Sequence, residues 1–224
     1  MKKFIKKAFK CAAEFNSSAC ISRTNKVQKN HLEYMFDVTD EEIDELGHSI
    51  NLEDKLDACL DLFYFCLTIA DALKLDKKIH KYIAHSLSYE KDKWCKLNDD
   101  KVRLYQLVCR VSTDQIQKGY PLDVQMIKYL SFYLIASNIM GSWFGSFRKA
   151  FKAVHKANMN KFVGSKNLAW EGGNDYLQKH KINAFSVIEN IDGLYFARTK
   201  VSGWSRVLKP SGWVAPDLTY YTTY

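Results

Sequence analysis

Asp40-Glu-Glu-Ile-Asp-Glu-Leu-Gly-His-Ser-Ile-Asn-Leu-Glu-Asp-Lys-Leu-Asp-Ala-Cys-Leu-Asp-Leu-Phe-Tyr-Phe65 is the stretch whose reading decides the fold. Gly47 ends one predicted helix, and Asn51 or Ser49 caps the next. Glu42 and Glu45 stand three apart and Asp57 and Asp61 four apart, so each pair lines one face of its helix. Two antiparallel helices of this kind bring four carboxylates to one point, with Glu41 beside them. Like charges about 4 Å apart repel by roughly 1 kcal/mol in water and about 4 kcal/mol at an effective dielectric near 20, so the cluster calls for cations. Oxygen-only ligands point to Mg²⁺, with Mn²⁺ as the second choice.

Asp61 is the most informative of the acids. Leu56, Cys59, Leu60, Phe63, Leu67 and Ala70 follow helical spacing and mark a buried face. A carboxylate one turn from so many apolar neighbours is costly unless it is paired or metal-bound. Taken singly, Asp57 and Asp61 read as the polar flank of an amphipathic helix; the set of acids together departs from that reading.

Working outward, residues 2–15 form an amphipathic helix, with Phe4, Ile5, Ala8, Ala12 and Phe15 on one side and lysines on the other. The first acidic helix spans 25–46 and is interrupted near Val38-Thr39, where Thr39 and Glu42 have the spacing of a capping box. The second acidic helix runs to Leu75. Three further helices follow, at 79–87, 99–118 and 122–138, the last after Pro121 at an N1-like position. Tyr129 to Phe147 is weakly charged but broken by Ser131, Ser137, Asn138, Gly141 and Gly145, which predicts a core helix and no membrane span. Towards the end Gly172, Gly173, Asp192-Gly193 and Ser202-Gly203 punctuate short runs, of which 194–198 and 204–208 read as a β-hairpin.

The composition, 47% hydrophobic and 26% charged, is that of a soluble globular protein and excludes a wholly disordered chain. A net charge of +8 suits a polyanionic ligand, nucleotide or nucleic acid, without choosing between them. The six cysteines include no Cys-x-x-Cys spacing, which argues against structural zinc and for a reducing cytoplasm. Cys59 and Cys66 fall on the predicted buried face.

The motif Glu41-Glu-x-x-Glu45, then Asp57-Ala-x-x-Asp61-Leu-x-Tyr64, is followed by Phe151-Lys-Ala-Val-His-Lys-Ala-Asn-Met-Asn-Lys161 and by Arg206-Val-Leu-Lys-Pro-Ser-Gly-Trp-Val-Ala-Pro-Asp-Leu218. These blocks, in this order, resemble the MazG-like and phosphoribosyl-ATP-pyrophosphohydrolase-like all-α NTP pyrophosphohydrolases. The second acidic pair departs from the commonest family pattern, a Glu three residues before the Asp. That position is Ala58 here, which leaves the fourth ligand between Asp57 and Asp54. Arg206 stands where the family has a lysine.

The resemblance implies a mainly α fold: an NTP pyrophosphohydrolase-like helical bundle over residues 1–164, with a helical insertion at 76–149, and a small α+β appendage with a hairpin and extended tail over 165–224. It implies hydrolysis of a (d)NTP to the (d)NMP and pyrophosphate, with Mg²⁺ held by Glu42, Glu45, Asp57 and Asp61 and a water proton accepted by Glu41 or Glu45. His155, Asn158 and Lys161 recur every three residues on a helix and are expected to face the nucleotide. Relatives of this type assemble as dimers or tetramers, so a homo-oligomer without a membrane or nucleic-acid partner is expected. Two other readings stay open: a nucleotide-binding module without turnover, which the atypical second pair favours, and a basic structural or nucleic-acid-binding protein, supported by the N-terminal lysines and late aromatics.

Overall fold

The computed structural model describes residues 1–110, 120–180, 184–201 and 204–222, and the statements below concern those residues. The fold is mainly helical with one small antiparallel sheet. Helices α1 (Lys2–Ser18), α2 (Lys29–His48), α3 (Leu52–Ala72), α4 (Asp76–Tyr89), α5 (Lys91–Asp99), α6 (Lys101–Cys109), α7 (Leu122–Phe144), α8 (Phe147–Met159) and α9 (Lys166–His180) precede strands β1 (Ser186–Glu189), β2 (Tyr195–Val201) and β3 (Trp204–Val207). A 3₁₀ turn at Thr219–Tyr221 follows.

Helix α3 is the axis of the molecule, packed by α1, α2, α7 and α8. Its apolar residues cover more than one face: Leu56, Cys59, Leu60, Phe63, Cys66 and Leu67 are fully buried, and Leu62 and Ile69 nearly so. Its most extensive partner is α7, which lies within the predicted insertion. Beyond Lys128, α7 has no charged residue, and Leu130, Tyr133, Leu134 and Ala136 are fully buried. This segment therefore builds the core. No described helix is long and apolar enough to cross a membrane.

Helix α1 docks through the face that periodicity assigns to it, burying Ile5, Ala8, Ala12 and Phe15. Phe4 stacks on Phe63 with ring centroids 5.5 Å apart and meets Phe151 edge-on at the same separation. Such aromatic pairs contribute about 0.5–1.5 kcal/mol each beyond their buried area. This cluster fixes α1 and α8 against α3.

The α2–α3 hairpin is closed by Asn51, whose side chain accepts from the Asp54 backbone N–H at 2.8 Å and donates to the Asp54 carboxylate at 2.8 Å. Contrary to the expected interruption at Val38-Thr39, α2 is unbroken. Thr39 is buried within it and donates to the Phe36 carbonyl, so the hydroxyl is satisfied locally and Glu42 plays no capping part. Pro121 is the N-cap residue of α7 and not its first turn.

Two further expectations are corrected. The helix predicted over 99–118 is met in its described part by α6, while α5, which was not predicted, precedes it; the two are joined at Asp100, whose side chain accepts from the Arg103 backbone N–H. Residues 111–119 lie outside the described residues, as does the Ser202-Gly203 turn. Gly172 and Gly173, read as chain breaks, lie inside α9. They serve close approach: a side chain on Gly172 would collide with the Lys209 carbonyl and Pro210, and one on Gly173 with the Phe185 ring. Helix α9 backs the sheet, whose order is β1-β2-β3. The 194–198 and 204–208 runs pair as expected, in register Arg198 with Val207 and Thr199 with Arg206. Phe196 and Val207 join the same hydrophobic core as the helices.

Candidate functional site

A cavity of about 650 Å³ opens between α2, α3, the end of α8, the loop after α1 and the β2–β3 hairpin. That volume lies within the range of small-molecule sites. Glu42 from α2 and Asp61 from α3 line it, opposite Asn158 and Lys161 from the α8 end and Arg198, Lys200 and Arg206 from the hairpin. Tyr34, Tyr64 and Phe65 supply aromatic wall.

The far end of the cavity is held by a buried polar network. Asp71, 3% exposed, takes Arg23 Nη2 at 2.7 Å and Asn16 Nδ2 at 3.0 Å. Asn16 Nδ2 also donates to the Thr68 carbonyl at 2.8 Å. A buried carboxylate with charge-assisted partners is stable where an unpaired one is not. The network fastens the loop after α1 to the C-terminal half of α3.

The acids of the two helices influence one another. Burial, then Asp61, Glu45 and Glu41, push the Glu42 carboxyl up to about 9. Burial, then Asp61 and Glu45, push Asp57 up to about 7. The Asp61 side chain is exposed on the cavity and enclosed by protein on its other sides. Its carboxyl is raised by that enclosure, an effect opposed by Lys161, Lys209 and Arg206 in that order. Glu45 is raised by partial burial and then by Asp61. Lys161 is lowered to about 8 by burial, with Asp61 the largest opposing influence.

The predicted residues other than His155 therefore divide into three groups. Glu42, Asp61, Asn158 and Lys161 line one cavity. Glu45 and Asp57 stand beside it, felt by Asp61 but outside its lining. Glu41 is exposed and bonded to Arg206 at 3.4 Å. Between the two choices for the fourth acid, Asp54 is engaged with Asn51 at the α3 cap, whereas Asp57 faces Asp61 and Glu45.

His155 does not line the cavity. Its Nδ1 meets the Tyr64 hydroxyl at 3.0 Å and its Nε2 meets Glu14 at 3.2 Å. The reason is helical geometry: each step of three residues turns back about 60°, so His155 and Lys161 diverge by about 120°. Helix α8 also ends at Met159, leaving Lys161 to point from the turn that follows.

Several residues escaped the sequence reading. Lys209 acts on both Asp57 and Asp61. Trp213 holds both lysines, with Lys209 Nζ 4.4 Å and Lys161 Nζ 5.7 Å from its ring centroid, and its indole N–H donates to the Ala157 carbonyl at 2.8 Å. The Val-Leu-Lys-Pro-Ser-Gly-Trp run carried that signal. Arg198 and Lys200 had no signal beyond being basic residues in a strand.

In donor chemistry the site fits a hard divalent cation: the acids offer oxygen alone, and Glu42 Oε2 is buried with no hydrogen-bond partner. Among the described residues, no three of the His, Cys, Asp and Glu side chains already stand close enough to hold an ion. The carboxylates are thus a facing pair with a flank, not a preformed cage. Compared with known proteins, the chain matches no protein-family model, no curated protein and no solved structure.

Proposed function

We propose that the chain hydrolyses nucleoside triphosphates to the monophosphate and pyrophosphate with the help of Mg²⁺ or Mn²⁺. The observation that carries this reading is the mixed charge of one nucleotide-sized cavity, with Glu42 and Asp61 on one wall and Lys161, Arg198, Lys200 and Arg206 on the other. Cations alone would suit any anion. Carboxylates placed against a polyanion need divalent ions between them.

Glu42 and Asp61, flanked by Glu45 and Asp57, are the residues that would hold the ions. Bound there, a divalent ion would polarise the α-phosphate and lower the pKa of the attacking water. The water oxygen bonds to the α-phosphorus, and the bond from that phosphorus to the α–β bridging oxygen breaks. Glu45 takes the water's proton; its carboxyl is held above the ordinary range and, unlike Glu41, is not tied to Arg206. Lys161, aided by Lys209 behind it, balances charge on the departing pyrophosphate, because phosphoryl transfer is mainly positioning and electrostatics. Asn158 offers both a donor and an acceptor to sugar or phosphate. His155 acts at one remove, orienting Tyr64 in the cavity wall.

A second reading is favoured by the lack of a preformed three-acid group among the described residues: a module that binds nucleotide and does not turn it over. One assay separates the two. Incubated with the common dNTPs and Mg²⁺, the wild-type protein releases pyrophosphate and the matching dNMP, and Asp61→Asn loses at least about a hundredfold in rate while keeping its circular dichroism. Nucleotide bound but left intact by the wild type would establish the second reading instead.

A further inference from the structure

The cations that line the cavity are not equivalent. Lys161 is matched by Asp61, and Arg206 by Glu41 at 3.4 Å. Arg198 and Lys200 have no acidic partner among the described residues. They stand two apart on β2 and so share one face of the strand, with Phe196. Phe196 is fully buried against Phe162, ring centroids 5.4 Å apart, which turns this face inward to the cavity. The intervening Ala197 and Thr199 are buried on the other face, towards α9. Arg206, paired across from Thr199, also reaches the cavity but is held there by Glu41, with its guanidinium 5.9 Å from the Tyr176 ring of α9.

Register places the pair relative to the acids. Arg198 sits beside Val207, two residues before Lys209, which acts on Asp57 and Asp61. Lys200 lies two residues further along β2, about 7 Å on. The unpaired cations thus form a row on the hairpin wall of the cavity, beyond Lys161, Lys209 and Arg206, the three cations that act on Asp61.

A group of this kind recognises anionic oxygen. A guanidinium takes a phosphate with two parallel bonds, and an ammonium adds a mobile point charge. In a nucleoside triphosphate the terminal phosphate carries the most negative charge, and it is the phosphate furthest from the nucleoside. We infer that Arg198 and Lys200 form the subsite for the terminal phosphate, so that β2, and not the acidic helices, distinguishes a triphosphate from a diphosphate. This rests on the nucleotide reading of the cavity and adds a specificity element to it.

The test is a binding series of α,β-imido dNTP, α,β-imido dNDP and dNMP in the presence of Mg²⁺, using the full chain, for the wild type, Arg198→Gln/Lys200→Gln and Lys200→Gln alone. The wild type is expected to bind the triphosphate at least tenfold more tightly than the diphosphate. In the double variant that ratio falls to about twofold while dNMP affinity changes by less than twofold, and Lys200→Gln gives an intermediate ratio. An unchanged ratio would overturn the inference and leave the nucleotide reading standing. Equal losses for dNTP, dNDP and dNMP would also overturn it, since a general field or base stacking acts without regard to phosphate number. Failure of every nucleotide to bind the wild type would overturn both. Lys200 is exposed, so its single variant keeps the test decisive should the double variant fold poorly.

Discussion

Helices α3 and α7 pack against each other along the centre of the molecule, and both are largely buried, yet they differ in what they bury. Helix α7 places hydroxyls and an amide among its apolar residues: Ser137 donates to the Tyr133 carbonyl, and Ser142 to the Asn138 carbonyl. Helix α3 places carboxylates there, with Asp57 and Asp61 on the side that meets α2 and the hairpin. A neutral hydroxyl can satisfy itself against its own helix, as Ser137 does, and even the Ser131 Oγ and Asn138 Nδ2 of α7, which find no hydrogen-bond partner, carry no charge to desolvate. A carboxylate cannot satisfy itself in this way, because desolvation penalises its charge and the helix backbone offers it no donor in mid-span. Asp71 meets that cost with Arg23 and Asn16, and Asp61 meets part of it with Lys161, Lys209 and Arg206; a divalent ion bound as proposed would relieve the rest.

This contrast predicts opposite responses to substitution. The largest effect on stability belongs to α7. Leu134→Ala removes a fully buried side chain and is expected to cost about 2–5 kcal/mol, lowering Tm by about 2–4 °C per kcal/mol. Below that transition the turnover number should be unchanged. A loss of turnover in fully folded Leu134→Ala would mean that α7 does more than support α3.

The next effect is smaller and opposite in sign. In Glu42 the folded-state pKa is raised to about 9 from an ordinary value of 4.5. The folded protein therefore holds a proton that the unfolded chain releases, and stability is lost as pH rises from about 4.5 through about 9. Glu42→Gln removes that dependence. Thermal unfolding without divalent ions should show the variant matching the wild type near pH 4 and exceeding it increasingly towards pH 9. The expected gain is of order 1–3 kcal/mol, the scale of an unsatisfied buried group. A wild type that is equally stable across that window would contradict the account of Glu42 as raised by burial and then by like charge.

The same contrast explains what could be read from the chain. Helices α1 and α2 and the β2–β3 hairpin were legible from hydrophobic periodicity, and α3 and α7 from long apolar runs bounded by the Asn51 cap and Pro121. The acids of Asp40–Phe65 were legible as a group because their spacing survives folding intact. Helix α9 was not, since Gly172 and Gly173 serve close approach to Pro210 and Phe185, contacts distant in sequence. His155 was misplaced because a three-residue repeat drifts around a helix that ends before Lys161. Arg198 and Lys200 reach the cavity, and Lys209 acts on its acids, only through the register of the hairpin and the docking of Trp213, which no local pattern encodes.

The claim on which the account rests is that acids from α2 and α3 serve one cation-dependent site. A double-mutant cycle on Mn²⁺ binding in the presence of nucleotide, with Glu42→Gln, Asp61→Asn and the pair together, tests it most directly. If both carboxylates hold the same ion, each single variant weakens Mn²⁺ binding at least tenfold and the double variant loses little more than the weaker single one. Losses that simply add, or Mn²⁺ binding that neither substitution alters, would contradict the account.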